Sequence, residues 1–439
     1  MKPLLNTLQD IILDNQETAL FTGVRRHVQL GALPDKALVC IGVRRCGKST
    51  ALHQVMRRLL DGGVDPRNLL YVNFFDDRLH ALNRGNIGLV EEAYFLLYPE
   101  KKRTERIYCF FDEIQVVEGW EPFVDRMRRS GKCEIYITGS SSKLLSTDVA
   151  TQMRGRSLCV ELFPFSFSEA LDWDGIDHRG ALSSRKQLIV RKHFARYWQS
   201  GGFPEVHGVD ARTRVAIHQE YLKSIVLRDV VERHDAPHPR AISDLAHRLI
   251  DSVGSMYSIN KLTGYLKSLG HKVPKMSVSA YLTWFEDAFF LFSVRLFDAS
   301  LSRSHANPRK VYCVDHGMAR SCASGVLVNE GHLLENLVFI ALRRVFSPVF
   351  YYRTHSGREV DFVVCERSPA KQLIQVCETI AGEETRGREV AALVEAMTEQ
   401  KLMEGTIVTR DEQEIIEVPA GTIRVVPIWR FLLELHSAV

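Results

Sequence analysis

The 439 residues are 45% apolar and 25% charged with no low-complexity tract, a composition that fits about two to four globular domains and excludes a fibrous or disordered chain. The formal net charge of +4 is small for this length, so charge alone does not identify a nucleic-acid binder. The nearest candidate for a membrane span, Ala288 to Val294, is too short, and no membrane partner is expected.

The first segment, MKPLLNTLQDIILDNQE, has acids inside its apolar pattern and no small-residue cleavage site. It predicts an amphipathic helix rather than a signal peptide, and a cytoplasmic protein. Nine cysteines occur without a CxxC pair, several of them in apolar runs (Cys40, Cys109, Cys377). They point to reduced, buried thiols rather than a zinc site or a disulfide framework.

An apolar run, Ala37 to Ile41, leads directly into GVRRCGKST: Gly42, Val43, Arg44, Arg45, Cys46, Gly47, Lys48, Ser49 and Thr50. A helix is predicted from Ser49 to Leu60. A strand that breaks into a glycine loop opening a helix is the layout of a phosphate-binding P-loop. Gly42 and Gly47 let main-chain N–H groups close around a β-phosphate, Lys48 reaches the β/γ oxygens and the Ser49 hydroxyl ligates Mg²⁺. ATP and Mg²⁺ are the expected ligands. Cys46 lies beside Lys48 and a helix N-terminus, both of which lower a thiol pKa, so oxidative inactivation is expected there.

Leu69 to Phe75 reads as another core strand. Arg106 to Glu113 is a further apolar run that ends in Asp112 and Glu113, where a doubly wound sheet presents ligand-binding groups. Asp112 is expected to hold Mg²⁺, through water, and Glu113 to polarise the attacking water. A strand from Cys133 to Ile137 ends in Thr138-Gly-Ser-Ser-Ser142, a polar turn suited to sensing a γ-phosphate, with Ser140 the first choice and Thr138 the second. The same turn also suits a helix cap. The alternation from Leu38 to Val160 predicts a parallel α/β NTPase core over 1–162.

Residues 163–235 read as a helical lid containing the tight turn Ser200 to Val206. In 236–325, helices at Ile242–Val253, Ile259–Leu269 and Ser277–Asp287 precede strands at Phe289–Phe297 and Lys310–Asp315 joined by a polar loop, the order of a winged helix. From Met256 to Arg320 the bases Lys261, Lys267, Lys272, Lys275, Arg295, Arg303, Arg309, Lys310 and Arg320 outnumber Glu286, Asp287, Asp298 and Asp315. DNA is therefore an expected partner, although winged helices also dock proteins.

The segment 326–439 runs helix (His332–Phe346), hairpin (Val349–Val364) and strand (Gln372–Cys377). This order resembles a restriction-endonuclease-like core, in which a helix Glu, a strand Asp and an E/Q-x-K triplet hold Mg²⁺. Glu335 and Asp361 match the first two positions, but the triplet is Gln375-Val-Cys377 and its lysine is missing. The expectation is a vestigial nuclease with lost or crippled catalysis, unless Lys371 reaches in.

GVRRCGKST, the strand end YVNFFDD (Tyr71 to Asp77), FFDEIQ, ITGSSSKLL, LFPFSF, SGGFPE, VLRDVVER and GREVDFVV occur in order along the chain. In this respect the sequence resembles bacterial and archaeal AAA-type P-loop ATPases carrying a C-terminal domain of unknown function. The resemblance implies ATP hydrolysis, DNA-associated work or a role in defence, and assembly into homo-oligomers, a hexamer being one such form. It also implies an arginine completing the site against the γ-phosphate, often from a neighbouring subunit, for which Arg154, Arg156 and Arg228 are candidates. The rival expectations are a nucleotide-switched signalling scaffold and an active Mg²⁺-dependent nuclease.

Overall fold

Five apolar segments of the first unit form strands: Ala37–Ile41 (β1), Leu69–Asn73 (β2), Ile107–Asp112 (β3), Cys133–Gly139 (β4) and Ser157–Glu161 (β5). They pair in the order β2-β3-β4-β1-β5, every contact parallel. All five side chains of β1 are buried, which is why this strand reads as a continuous apolar run: a central parallel strand is covered on both faces. The computed structural model describes residues 2–31, 35–104, 106–140, 155–325, 329–365 and 372–437.

The helix Lys2–Glu17 (α1) buries Leu8, Ile11 and Ile12. Lys48–Asp61 (α2) buries Ala51, Leu52, Val55 and Met56, the three- and four-residue spacing of a helix lying on a sheet. Because the strands are parallel, Gly42, Glu113 and Ser140, each just beyond its strand, emerge at one edge of the sheet.

Contacts divide the chain into Met1–Leu162 and Phe163–Val439. Within the second unit, helices Pro239–Asp251, Ile259–Ser268 and Lys275–Asp287 accompany strands Met256–Tyr257 (β6), Leu291–Leu296 (β7) and Arg309–Cys313 (β8). The connection between β7 and β8, expected as a polar loop, contains a short helix, Leu301–Ala306, opened by the Ser300 side chain. The C-terminal strands are Val349–Arg353 (β9), Glu359–Val364 (β10), Gln372–Val376 (β11), Glu404–Thr409 (β12), Glu414–Val418 (β13) and Gly421–Pro427 (β14).

The expected boundaries at 235/236 and 325/326 both fall inside the second unit. Its nine strands form one sheet, β13-β14-β12-β11-β10-β9-β7-β8-β6, in which β7 pairs with β9 in parallel. An exposed strand edge offers unpaired N–H and C=O groups, and here the free side of β7 in the β7–β8 pair is covered by β9. The helix Glu383–Gln400 packs Ala392, Leu393, Ala396 and Met397 against Val360, Leu373, Ile407 and Val425 of this sheet.

The SGGFPE turn has a structural role. A Cβ on Gly202 would overlap the Phe165 carbonyl, and the Gly202 amide donates to Asp315 at 2.6 Å. The turn thus ties the LFPFSF segment to the helix His316–Cys322.

Candidate functional site

At the end of β1 the chain turns through Gly42, where a Cβ would overlap the Leu162 carbonyl, and α2 starts after Gly47 at φ 98°. Only glycine suits both positions: the first lacks space and the second needs a left-handed backbone. Lys48, 5% exposed, folds back so that its Nζ donates to the carbonyls of Gly42 (3.1 Å) and Val43 (3.2 Å). The same ammonium lies 3.6 Å from Glu113 Oε1. Burial opposes the Lys48 charge, yet Glu113 and nearby acidic groups outweigh it and raise the lysine pKa. Burial also opposes ionisation of Glu113, but Lys48, Gln115, Arg44 and the Ser140 amide hold its carboxyl below the usual range.

The two acidic residues are organised by Thr138. Its hydroxyl donates to Asp112 Oδ1 and accepts the Glu113 N–H at 3.0 Å. Asp112 Oδ2 accepts from the Tyr71 hydroxyl at 2.9 Å, and the Ser140 amide donates to Glu113 Oε2 at 3.3 Å. Glu113 has φ 55° and ψ 39°, a left-handed conformation that costs a non-glycine residue free energy and that clusters at functional sites. Thr138 therefore holds the Asp112 carboxylate and the Glu113 backbone, whereas the Ser140 amide meets the Glu113 carboxylate.

Tyr71 and Arg26 were missed by the sequence reading. Arg26, 5% exposed, donates from Nη1 to the Cys46 carbonyl at 2.7 Å and braces the glycine loop from an N-terminal segment that carries no motif. Tyr71 had a signal: a tyrosine in a core strand needs a partner for its hydroxyl, and β2 lies beside β3.

One expectation needs correction. The Cys46 thiol is fully buried and donates to the Leu162 carbonyl at 3.3 Å. Burial raises its pKa against the opposing pull of Lys48 and Arg26, so it stays a protonated thiol and is not the reactive thiolate expected from the sequence. Arg156 precedes β5 and so lies at the sheet edge opposite Gly42, about 16 Å away along five residues of strand. It lies 3.5 Å from Asp125, which also binds Arg128 and Arg129. Arg228 is exposed and pairs with Glu232 at 3.3 Å, one turn along the same segment. Arg154 falls outside the described residues.

Glycine-lined backbone, a buried lysine, a serine at the start of α2 and an acid at the end of β3 form a donor set suited to a triphosphate and a hard divalent cation. Arg44 stacks over the half-exposed Phe75 ring at 5.8 Å.

In the second unit, Glu335, Asp361 and Gln375 do come together. Asp361 Oδ2 accepts the Val376 N–H at 3.0 Å, Gln375 Oε1 accepts the Asp361 N–H at 3.3 Å, and Gln375 Nε2 donates to Glu389 at 2.8 Å. The cation at this cluster is Lys310 of β8, whose Nζ is 2.8 Å from each of Glu335 Oε1, Glu359 Oε1 and Asp361 Oδ1. Lys371 lies outside the described residues. Burial first, then Asp361, pushes Glu335 up to about 7, with Lys310 and Tyr312 opposing.

Lys310, counted among the bases facing DNA, is therefore internal, and Arg320 is held by Glu330 at 2.6 Å. Lys261, Lys267, Lys272 and Lys275 remain exposed, on and after the helix Ile259–Ser268 and at the start of the helix Lys275–Asp287.

Comparison with known proteins matches residues 34–171 to an AAA domain, and 191–326 and 330–431 to two domains of unknown function. An uncharacterised protein of Methanocaldococcus jannaschii is 34% identical over 437 residues, covering 97% of this chain and 95% of its own length. A second, from Haemophilus influenzae, is 31% identical over 331 residues, covering 75% and 79%. Among solved structures, the Aeropyrum pernix Orc1 protein in complex with DNA is 15% identical and covers 74% of this chain and 92% of that one, at a TM-score of 0.31. AMPPCP-bound DnaA from Aquifex aeolicus is 14% identical over 63% and 86%, at 0.26. At such scores the fold assignment rests on the strand order of the first unit and on the AAA-domain match.

Proposed function

The chain belongs to the AAA-domain ATPase family that it shares with these archaeal and bacterial proteins, and we propose that it hydrolyses ATP at the Gly42–Thr50 loop and couples nucleotide state to DNA contact. The reading places the enzyme in the cytoplasm as a homo-oligomer, in which an arginine such as Arg154 or Arg228 completes a neighbour's site. The observation that carries the hydrolase reading is the buried Lys48–Glu113 pair set against the Thr138-linked acids.

Entry of a triphosphate offers Lys48 a stronger anion than the Gly42 and Val43 carbonyls, so the ammonium turns to the β/γ oxygens. Glu113, released from Lys48, is then free to accept a hydrogen bond from the water attacking the γ-phosphorus. Thr138 and Tyr71 keep Asp112 in one orientation, and Ser140 faces the γ-phosphate as its sensor. Mg²⁺, held by the Ser49 hydroxyl and through water by Asp112, would neutralise charge on the phosphate oxygens.

DNA contact is supported by the four exposed lysines of the winged segment, which suit phosphates. The scaffold reading is favoured by one feature: Met276, 85% exposed, sits among these lysines and suits a protein surface. The test is ATP turnover across protein concentration with and without single-stranded, duplex and branched DNA, repeated as a salt titration. A DNA-coupled oligomer shows turnover per subunit rising with concentration and with DNA, and affinity falling steeply with salt. A flat response to DNA at every salt concentration discards the coupling and leaves the ATPase intact.

A further inference from the structure

Lys310 enters the carboxylate cluster from the winged segment, 25 residues before Glu335 and 51 before Asp361. Its Nζ stands at 2.8 Å from three carboxylates contributed by a helix and by β10, and the side chain is 3% exposed. Tyr312 donates to the same Glu335 oxygen at 2.6 Å, and the second oxygen of Asp361 is taken by the Val376 amide. Two of these acids, Glu335 and Asp361, are buried, while Glu359 is partly exposed and also meets Arg353; the buried pair requires a cation there, since an uncompensated buried carboxylate is strongly unfavourable. Oxygens gathered from a helix acid and a strand acid are also what a hard divalent ion takes.

We propose that the Lys310 ammonium occupies the seat of a divalent cation, so that the second unit carries its own cation in place of Mg²⁺ and neither binds a metal there nor cleaves phosphodiesters. The seat is filled by a side chain of the wing, so the same contact fastens β8 to the helix Glu330–Val345 and to β10. A lysine from the wing thus fills the space that the missing triplet lysine and its metal would share. This inference is independent of the ATPase reading.

The test is Mn²⁺ binding by electron paramagnetic resonance on the full chain without nucleotide, comparing wild type, Asp361→Asn, Lys310→Ala and the double variant Lys310→Ala/Asp361→Asn. The wild type should show no Mn²⁺ site sensitive to Asp361→Asn. Lys310→Ala should gain a bound Mn²⁺ that the double variant loses. If Lys310→Ala fails to fold in chelator, millimolar Mn²⁺ should restore its folded circular-dichroism signal. A wild-type site that Asp361→Asn removes, a folded Lys310→Ala that takes up no Mn²⁺, or an unfolded one that Mn²⁺ does not rescue would each overturn the proposal.

Discussion

Lys48 and Lys310 are both buried against carboxylates, and their surroundings give them opposite roles. Lys48 sits on a glycine loop with two neutral carbonyls and a single carboxylate at 3.6 Å. Lys310 sits on a strand with three carboxylates at 2.8 Å. A triphosphate outbids two carbonyls and a long ion pair, whereas three carboxylate contacts at 2.8 Å hold Lys310 far more firmly. One lysine is poised to change partners and the other is locked.

Lys48→Ala should bring the largest change, removing nucleotide binding as followed by titration with a fluorescent ATP analogue. Retained affinity would make the two lysines equivalent and erase the contrast. Lys310→Met should cost the second unit about 3–5 kcal/mol in chemical denaturation, because it leaves buried carboxylates without their cation. A shift within about 0.5 kcal/mol would mean the cluster is solvated and the lysine not locked. Thr138→Val, which keeps shape and removes the hydroxyl, should lower turnover by about 10- to 100-fold with ATP binding retained, since both acids lose their common partner.

pH separates the regions more gently. His207 and His218 of the second unit are neutral in the fold, burial having lowered each to about 4 from an ordinary 6.5. Unfolding raises their proton affinity, so their contribution is present above about 6.5 and is lost as pH falls towards 4. The urea midpoint of the second unit should fall across that window, and His218→Gln should flatten the fall. An unchanged slope would show that His218 is hydrated.

What the sequence made legible was local in the chain. The strand, glycine loop and helix around Lys48, and the acids closing β3, follow from contiguous patterns whose spacing carries the chemistry. The partners that set those residues in place were not legible. Arg26 and Tyr71 reach the site through tertiary packing, and Thr138, expected only as a second choice for sensing the γ-phosphate, joins the two acids because β4 lies beside β3. Cys46 was misjudged because proximity to Lys48 is visible in sequence while complete burial is not. Lys310 could not have been paired with Glu335 and Asp361 without knowing that β7 joins β9, which draws the wing into the C-terminal sheet.

The most direct measurement is ATP turnover and retained ATP for Glu113→Gln. A water-orienting glutamate requires that the variant bind ATP as the wild type does and hold it unhydrolysed, with turnover down by about 100-fold or more. An unchanged hydrolysis rate would contradict the role given to the Lys48–Glu113 pair.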